Sequence, residues 1–394
     1  MGVKDLEDMK KLSILRSQID GITVNEILIS DFPTIGPEDR IADALSLMHE
    51  SGFQEIPIVD GGNYAGMISY GSILRKKSLS PDTKVKNVVK NLPTLTKETE
   101  ITKIAELMVS NNSRQLAVLS GKKVIGVVSR RGLTAIAAKM KALKDIKTWE
   151  IMTTPVESVN TNGMLEDALN IMRDLDIRTV PVVDSANIPV GIVGMREVIE
   201  NHWKNDAKGL GDFQKGSKAH LTVDSVCTRS VLKVDWESNL EEASAILNDK
   251  QISTLPVTAD GELVGILTEY DIVQLISACR ERDALFVQIS GLDDEDKDYA
   301  PAMYADIEAE IQKISKIHKP ESLIIHVARY NETGDRKKYS LSAKFFINGT
   351  TINSKEVGWD LIKVNNDLIK KIGELVVNRK DSTVSFKRRR NNTA

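Results

Sequence analysis

Apolar residues return at intervals of three and four along four separated stretches, IADALSLMHESG, ITKIAELMVSNN, LEDALNIMRDLD and LEEASAILNDKQ. In the first, Ile41, Ala44, Leu45 and Met48 share one side of a 3.6-residue turn, so each stretch predicts a helix with one buried face. A short apolar run follows each helix: IPIVD, LAVLS, VPVVD or LPVTA. After a turn comes a second run opening on glycine: GMISYGSIL (66–74), GVVSRRGLT (126–134), GIVGMREVI (191–199) or GILTEYDIV (265–273). Such runs read as buried strands, the second turning directly into a helix. The glycines lie 60, 65 and 74 residues apart, so one unit of strand, helix, strand, strand, helix occurs four times. The Gly- and Lys-rich segment 201–220 lengthens the last interval and reads as a linker or surface loop without P-loop spacing.

From residue 284 the pattern changes. ALFVQIS predicts a strand, DDEDKD an acidic loop, and residues 299–318 a long helix ending before Pro320. SLIIHVARY and KKYSLSAKFFI predict two further strands, and the alternation Tyr339, Leu341, Ala343, Phe345, Ile347 gives the second one buried face. A turn at Asn348 and Gly349, a short strand and a helix from about Val357 to Arg379 complete a βαβββα order. Val357, Leu361, Val364, Leu368, Ile372 and Leu375 form the expected core stripe of that helix. The chain thus divides into an N-terminal helix (1–19), repeats at 20–80, 82–140, 146–201 and 220–282, a linker (202–219), a domain at 284–385 and a basic tail (386–394).

Composition, 41% hydrophobic and 28% charged, is that of ordinary soluble globular chemistry. No apolar run approaches the roughly 18 residues of a membrane span. The N-terminus MGVKDLEDMKKL is charged and amphipathic, unlike a secretory signal, so a cytoplasmic protein without a membrane partner is expected. Cys227 and Cys279 alone cannot build a disulfide framework or a four-thiolate zinc site, and the five histidines lack metal-ligand spacing; no metal is expected. No nucleophile with a base and no paired carboxylates stand out, which argues against an enzyme. Charge is uneven: residues 284–394 carry 19 Lys and Arg against 16 Asp and Glu and end in a cationic arm, Lys387, Arg388, Arg389 and Arg390.

Four in-phase copies of this unit over residues 20–280 resemble the cystathionine beta-synthase (CBS) domain family, whose tandem repeats pair into Bateman modules that commonly hold adenine nucleotides. The resemblance implies one module from repeats one and two and another from repeats three and four, a regulatory AMP, ADP or ATP ligand, and a homodimer as an option through the modules. It also gives a role to Thr268 and Asp271, which by spacing alone form a capping box at a helix start. In the family a hydroxyl and a carboxylate three residues apart face ribose and phosphate. Only repeat four keeps the pair; Ser69 is followed by Ser72, Ser129 by Gly132 and Gly194 by Glu197. The same resemblance implies Leu255 and Pro256 as the cleft floor, Val231 packing on a base, and Arg178 reaching a phosphate from repeat three.

Residues 337–372, a long amphipathic strand, a glycine turn and a helix opening with Asp360 and Leu361, resemble the ribosome hibernation-promoting factor family. The two resemblances together imply an α+β / α/β fold class, four CBS repeats forming two Bateman modules followed by a small βαβββα hibernation-factor-like domain, and the second implies a ribosomal subunit (rRNA) as partner. Lys363, Lys370 and Lys371 on the last helix, with Arg336, Lys337, Lys338 and the Lys387–Arg390 arm, are the candidate RNA contacts, by shape and backbone charge. Asp367 and Glu374, four residues from Lys363 and Lys370, offer the competing reading of paired surface charge. The sequence therefore supports a non-catalytic, nucleotide-sensing, translation-regulating ribosome factor. Its alternative is a CBS energy sensor acting through its C-terminal domain on an enzyme, transporter or promoter.

Overall fold

A computed structural model describes residues 11, 14–74, 80–175, 177–195, 197, 222–229, 231–280, 285–292, 294–315, 320–331, 337–347 and 350–391. Each repeat pairs two antiparallel strands: Glu55–Asp60 with Asn63–Ser69, Gln115–Ser120 with Lys123–Ser129, Thr179–Val183 with Pro189–Gly194, and Thr254–Ala259 with Glu262–Thr268. The amphipathic helices precede them at Ile41–Ser51, Ile101–Ser110, Leu165–Asp174 and Leu240–Asp249. Four successive residues of the first strand are buried in repeats one and two, so both faces of these strands are covered.

The repeat glycine has a steric reason. The segment leading into one repeat crosses its sister's second strand at that glycine: Ile29 bridges Val127, Lys90 bridges Met67, Thr153 bridges Ile266, and Thr228–Arg229 pairs with Ile192 and Gly191. A Cβ on Gly126 would sit 2.9 Å from the Ile29 carbonyl oxygen, one on Gly265 would lie 2.5 Å from Met152 Sδ, and one on Gly191 3.0 Å from Cys227 Sγ. On Gly66 it would meet Val89. Repeats one and two, and three and four, are thus reciprocally crossed pairs, as expected.

The two pairs then pack together. Helices Ile101–Ser110 and Arg130–Ala137 of repeat two lie on Leu240–Asp249 and Glu269–Ala278 of repeat four, in one core that also takes Leu15 and Ile19 from the helix at 14–19. The module-to-module contact considered between copies is met here between halves of one chain.

The C-terminal domain runs β1 (Phe286–Ser290), α1 (Ala300–Ile314), β2 (Pro320–Asn331), β3 (Lys337–Ile347), β4 (Thr350–Gly358) and α2 (Leu361–Asn391), the expected order. Its sheet is ordered β1-β2-β3-β4, with β1 parallel to β2 and the other pairs antiparallel; α1 is the crossover that a parallel pair requires. Tyr339, Leu341, Ala343, Phe345 and Ile347 are buried against Met303, Ile307, Leu368 and Ile372 of the two helices. Val357 departs from the expected stripe: it belongs to β4 and is 45% exposed. The helix starts only at Leu361, where Asp360 Oδ1 accepts the Lys363 N–H at 2.9 Å.

One expectation was too narrow. Alternation predicts a single buried face for β3, yet Ser340 and Ser342 on its other face are buried as well. That face lies on the repeats: Gln288 Nε2 donates to the Ser110 carbonyl at 2.8 Å, and Ile324 joins the core of repeats two and four.

Candidate functional site

Each amphipathic helix ends in a turn that delivers the next strand, and the residues of these turns meet near the middle of the repeat array. Asn112 sits in the left-handed region (φ 43°), where a short amide side chain is tolerated. Its carbonyl oxygen accepts from Arg178 Nη2 and its Oδ1 from Arg130 Nη2, both at 3.0 Å. Arg130 Nε also donates to the Ser113 carbonyl at 2.7 Å. Glu55, fully buried, accepts the Arg114 and Gln115 N–H groups at 2.9 Å and faces Arg178 at 3.5 Å. Arg131 pairs with Glu269 at 3.3 Å and donates to Gln251.

Four arginines, Arg114, Arg130, Arg131 and Arg178, therefore line one cavity of about 620 Å³, with Glu197 and Glu269 as its acidic members. Its volume falls within the range of small-molecule sites, roughly 300–1,000 Å³. Arg114 Nε is buried and has no hydrogen-bond partner. Burial, followed by the nearby Arg178 charge, holds the Arg114 pKa below its ordinary value; burial, then Arg114 and Arg178, pulls that of Arg130 down to about 10. Clustered like charges with an unsatisfied donor make this cavity chemically suited to an anion.

Sequence reasoning singled out Arg178 and missed Arg114. The two occupy the same position of the repeat, in SRQLAV and IRTVPV, two residues before the buried core of the strand, and that phase relation was available in the sequence. Asn112 and Arg130 carry no comparable marker.

A second, smaller cleft opens beside the three-four module, bounded by Thr153, Pro155, Thr254, Thr268 and Tyr270 and closed on repeat two's side by Asn112, Arg114 and Arg130, with a volume of about 90 Å³. Thr268 lines it, but Asp271 is 1% exposed and internally engaged. Its Oδ2 accepts from Thr268 N–H and Oγ1, each at 2.7 Å, and its Oδ1 from Thr153 Oγ1 at 2.8 Å. Burial, opposed by these bonds, raises the Asp271 pKa. The pair forms the capping box, tied across to the sister repeat. Leu255 does not floor the cleft: it is fully buried in the hydrophobic core, and neither it nor Pro256 lines the opening, where Ser253 and Thr254 take the place. Strand alternation turns Leu255 inward. Val231 lines the larger cavity, and Arg178 borders both.

The expected RNA contacts are not one continuous row. Lys337 bonds Glu295 at 2.8 Å and lies 3.5 Å from Asp296, Lys338 stands over the Trp359 ring at 5.4 Å, and Lys371 pairs with Glu356 at 2.6 Å. Lys363 and Lys370 are exposed on α2. Arg336 and the side chains of Lys387, Arg388, Arg389 and Arg390 lie outside the described residues. Among the described residues no group of three or more His, Cys, Asp or Glu is arranged to hold a metal ion, and no helix is long and apolar enough to cross a membrane.

The CBS domain family profile matches four times, at residues 24–79, 85–139, 145–203 and 223–278, well over half of the chain. The chain is a CBS domain protein. Among relatives of this CBS protein, the uncharacterized protein MJ1404 of Methanocaldococcus jannaschii is 27% identical over 304 residues, 75% of this chain and 72% of the relative. An uncharacterized 33.4 kDa protein in the ribosomal RNA operon of Thermofilum pendens is 25% identical over 277 residues, 64% of this chain and 90% of that one. Among solved structures, protein MJ1225 from M. jannaschii, proposed as an archaeal homolog of g-AMPK, superposes with TM-score 0.54 at 20% identity, covering 64% of this chain and 99% of its own. That likeness establishes the fold of the repeats.

Proposed function

We propose that this protein is a non-catalytic CBS sensor that binds an anionic ligand of the adenine nucleotide class in its central cavity, and that its C-terminal domain carries the response to an enzyme, transporter, promoter or other target. The carrying observation is the convergence of Arg114, Arg130, Arg131 and Arg178 on one 620 Å³ space with the Arg114 Nε unpartnered. Guanidinium groups match phosphate oxygens bidentately, and a dry setting strengthens each such bond. The structural likeness to a proposed g-AMPK homolog supports the same reading.

Calorimetry on the full chain with AMP, ADP and ATP tests it. Arg114→Gln is the chosen variant because Gln54 holds the equivalent place in repeat one, so the fold accepts the residue. Losing one charge-assisted bond, about 1.5–3 kcal/mol, should weaken binding roughly 10- to 150-fold. Heat from none of the three nucleotides would remove the reading.

A ribosome-directed response is the second reading. The βαβββα order, the exposed Lys363 and Lys370, and the relative described as lying in a ribosomal RNA operon favour it. Co-sedimentation of the full chain with ribosomal subunits, weakened by Lys363→Ala with Lys370→Ala and by added salt, is its expected outcome. A chain remaining at the top of the gradient at low salt would leave only the regulatory reading.

A further inference from the structure

The 90 Å³ cleft of the three-four module is not walled by repeats alone. Lys344 of β3 and Asn353 of β4, both from the C-terminal sheet, complete its lining. The Lys344 ammonium stands 4.3 Å above the centroid of the Tyr270 ring, and the Arg130 guanidinium lies 4.8 Å from the same centroid. Tyr270 lies between the capping residues Thr268 and Asp271 of the helix Glu269–Ala278, so the lysine is seated where the cleft meets a helix start. Beside it, Ile324 packs into the repeat core and Gln288 bonds Ser110. The space left is well below the roughly 300 Å³ at which pockets begin to hold organic ligands.

We propose that the C-terminal sheet is a displaceable cover of this cleft, with Lys344 as its latch, so that the docked sheet and a nucleotide-sized anion in the cleft exclude one another. Arg114, Arg130 and Arg178 line this cleft as well as the central cavity, so a nucleotide held by them reaches the cover; the occupant's identity rests on the ligand reading above, the cover does not. A ligand admitted here binds against the docking equilibrium, and its apparent affinity is reduced by the fraction of chains in which the sheet is docked. The cleft would thereby convert ligand binding into release of the sheet face that carries Gln288, Ile324, Ser342 and Lys344. Coupling of this kind is reciprocal: whatever holds the released face must raise ligand affinity by the same factor.

The test uses the full chain carrying Ser342→Cys, a position 7% exposed on the docked face, with maleimide labelling read on that peptide by mass spectrometry. Lys344→Ala should accelerate labelling roughly 2- to 30-fold without any ligand, the span expected for loss of a cation–π contact. Saturating AMP should accelerate it in the chain that retains Lys344. Calorimetry should show tighter AMP binding to Lys344→Ala, and Lys344→Arg should restore the slow labelling. Unchanged labelling in Lys344→Ala overturns the latch. Labelling unchanged or slowed by AMP that calorimetry shows bound overturns the exclusion, as does weaker AMP binding by Lys344→Ala, which would make Lys344 a ligand contact. If AMP binds nowhere, the ligand reading fails, while the ligand-free arm still decides the cover.

Discussion

Asp271→Ala separates a ribose-reading carboxylate from a structural one. Thr268 N–H and Oγ1 and Thr153 Oγ1 all converge on this carboxylate within 2.8 Å, at 1% exposure. Truncation leaves the Thr268 N–H and the Thr153 hydroxyl without an acceptor; the Thr268 hydroxyl also loses its acceptor but lines the cleft, where water can replace it, and its oxygen still accepts the Tyr270 and Asp271 N–H groups. Each stranded buried donor costs about 1–3 kcal/mol. Relief of the buried charge, visible in the raised pKa, offsets part of the sum, so a net loss of about 2–4 kcal/mol is expected. Thr153 belongs to the segment that crosses from repeat three onto Ile266, so the loss should loosen the three-four pair as a unit. Trp149 and Trp236, with ring centroids 6.4 Å apart, give a fluorescence reporter for urea unfolding of that pair. An unchanged urea midpoint, together with abolished nucleotide binding, would refute the structural account and restore the ribose role.

Three further outcomes are expected. Glu55→Ala strips a fully buried carboxylate from two backbone donors and from Arg178, and should cost about 3–5 kcal/mol in urea titration, with Glu55→Gln costing less because its amide oxygen still accepts. Gly126→Ala should cost about 1–3 kcal/mol, since the new methyl meets the Ile29 carbonyl; stability equal to wild type would contradict the crossing described above. Burial raises the Asp271 pKa above 3.8, so just above that pH the folded chain holds a proton that the unfolded chain has released. This contribution to stability falls as pH rises through the window. The stability of wild type relative to Asp271→Asn should therefore decline across it and then level off, and a rising difference in urea titrations at stepped pH would reverse the sign.

Periodicity made the four helices, their hairpins and the βαβββα order legible, because each element keeps an apolar face whichever partner it meets. What it left hidden were features that depend on which neighbour arrives. Lys344 reads as an outward lysine on an alternating strand; only the docking of that strand's second face sets it against Tyr270. Leu255 stands next to the cleft in sequence, but strand alternation sends it to the core and leaves Thr254 at the opening. Thr268 and Asp271 fit the ligand reading, with capping as its rival, until Thr153 is found on the carboxylate's second oxygen, a contact spanning 118 residues. Arg114 was the recoverable case, through its phase match with Arg178.

The reciprocal crossing sets a timetable for the nascent chain. Ile29 finds its bridge partner only at Val127, and Thr153 only at Ile266. At synthesis rates of about 5–20 residues per second, the leading segment of repeat one waits roughly 5–20 seconds for its sister strand to emerge, and that of repeat three waits about as long. During each interval a half-built module offers apolar surface to the cell. Chaperone demand should therefore rise twice per molecule and fall each time a second glycine strand clears the exit tunnel.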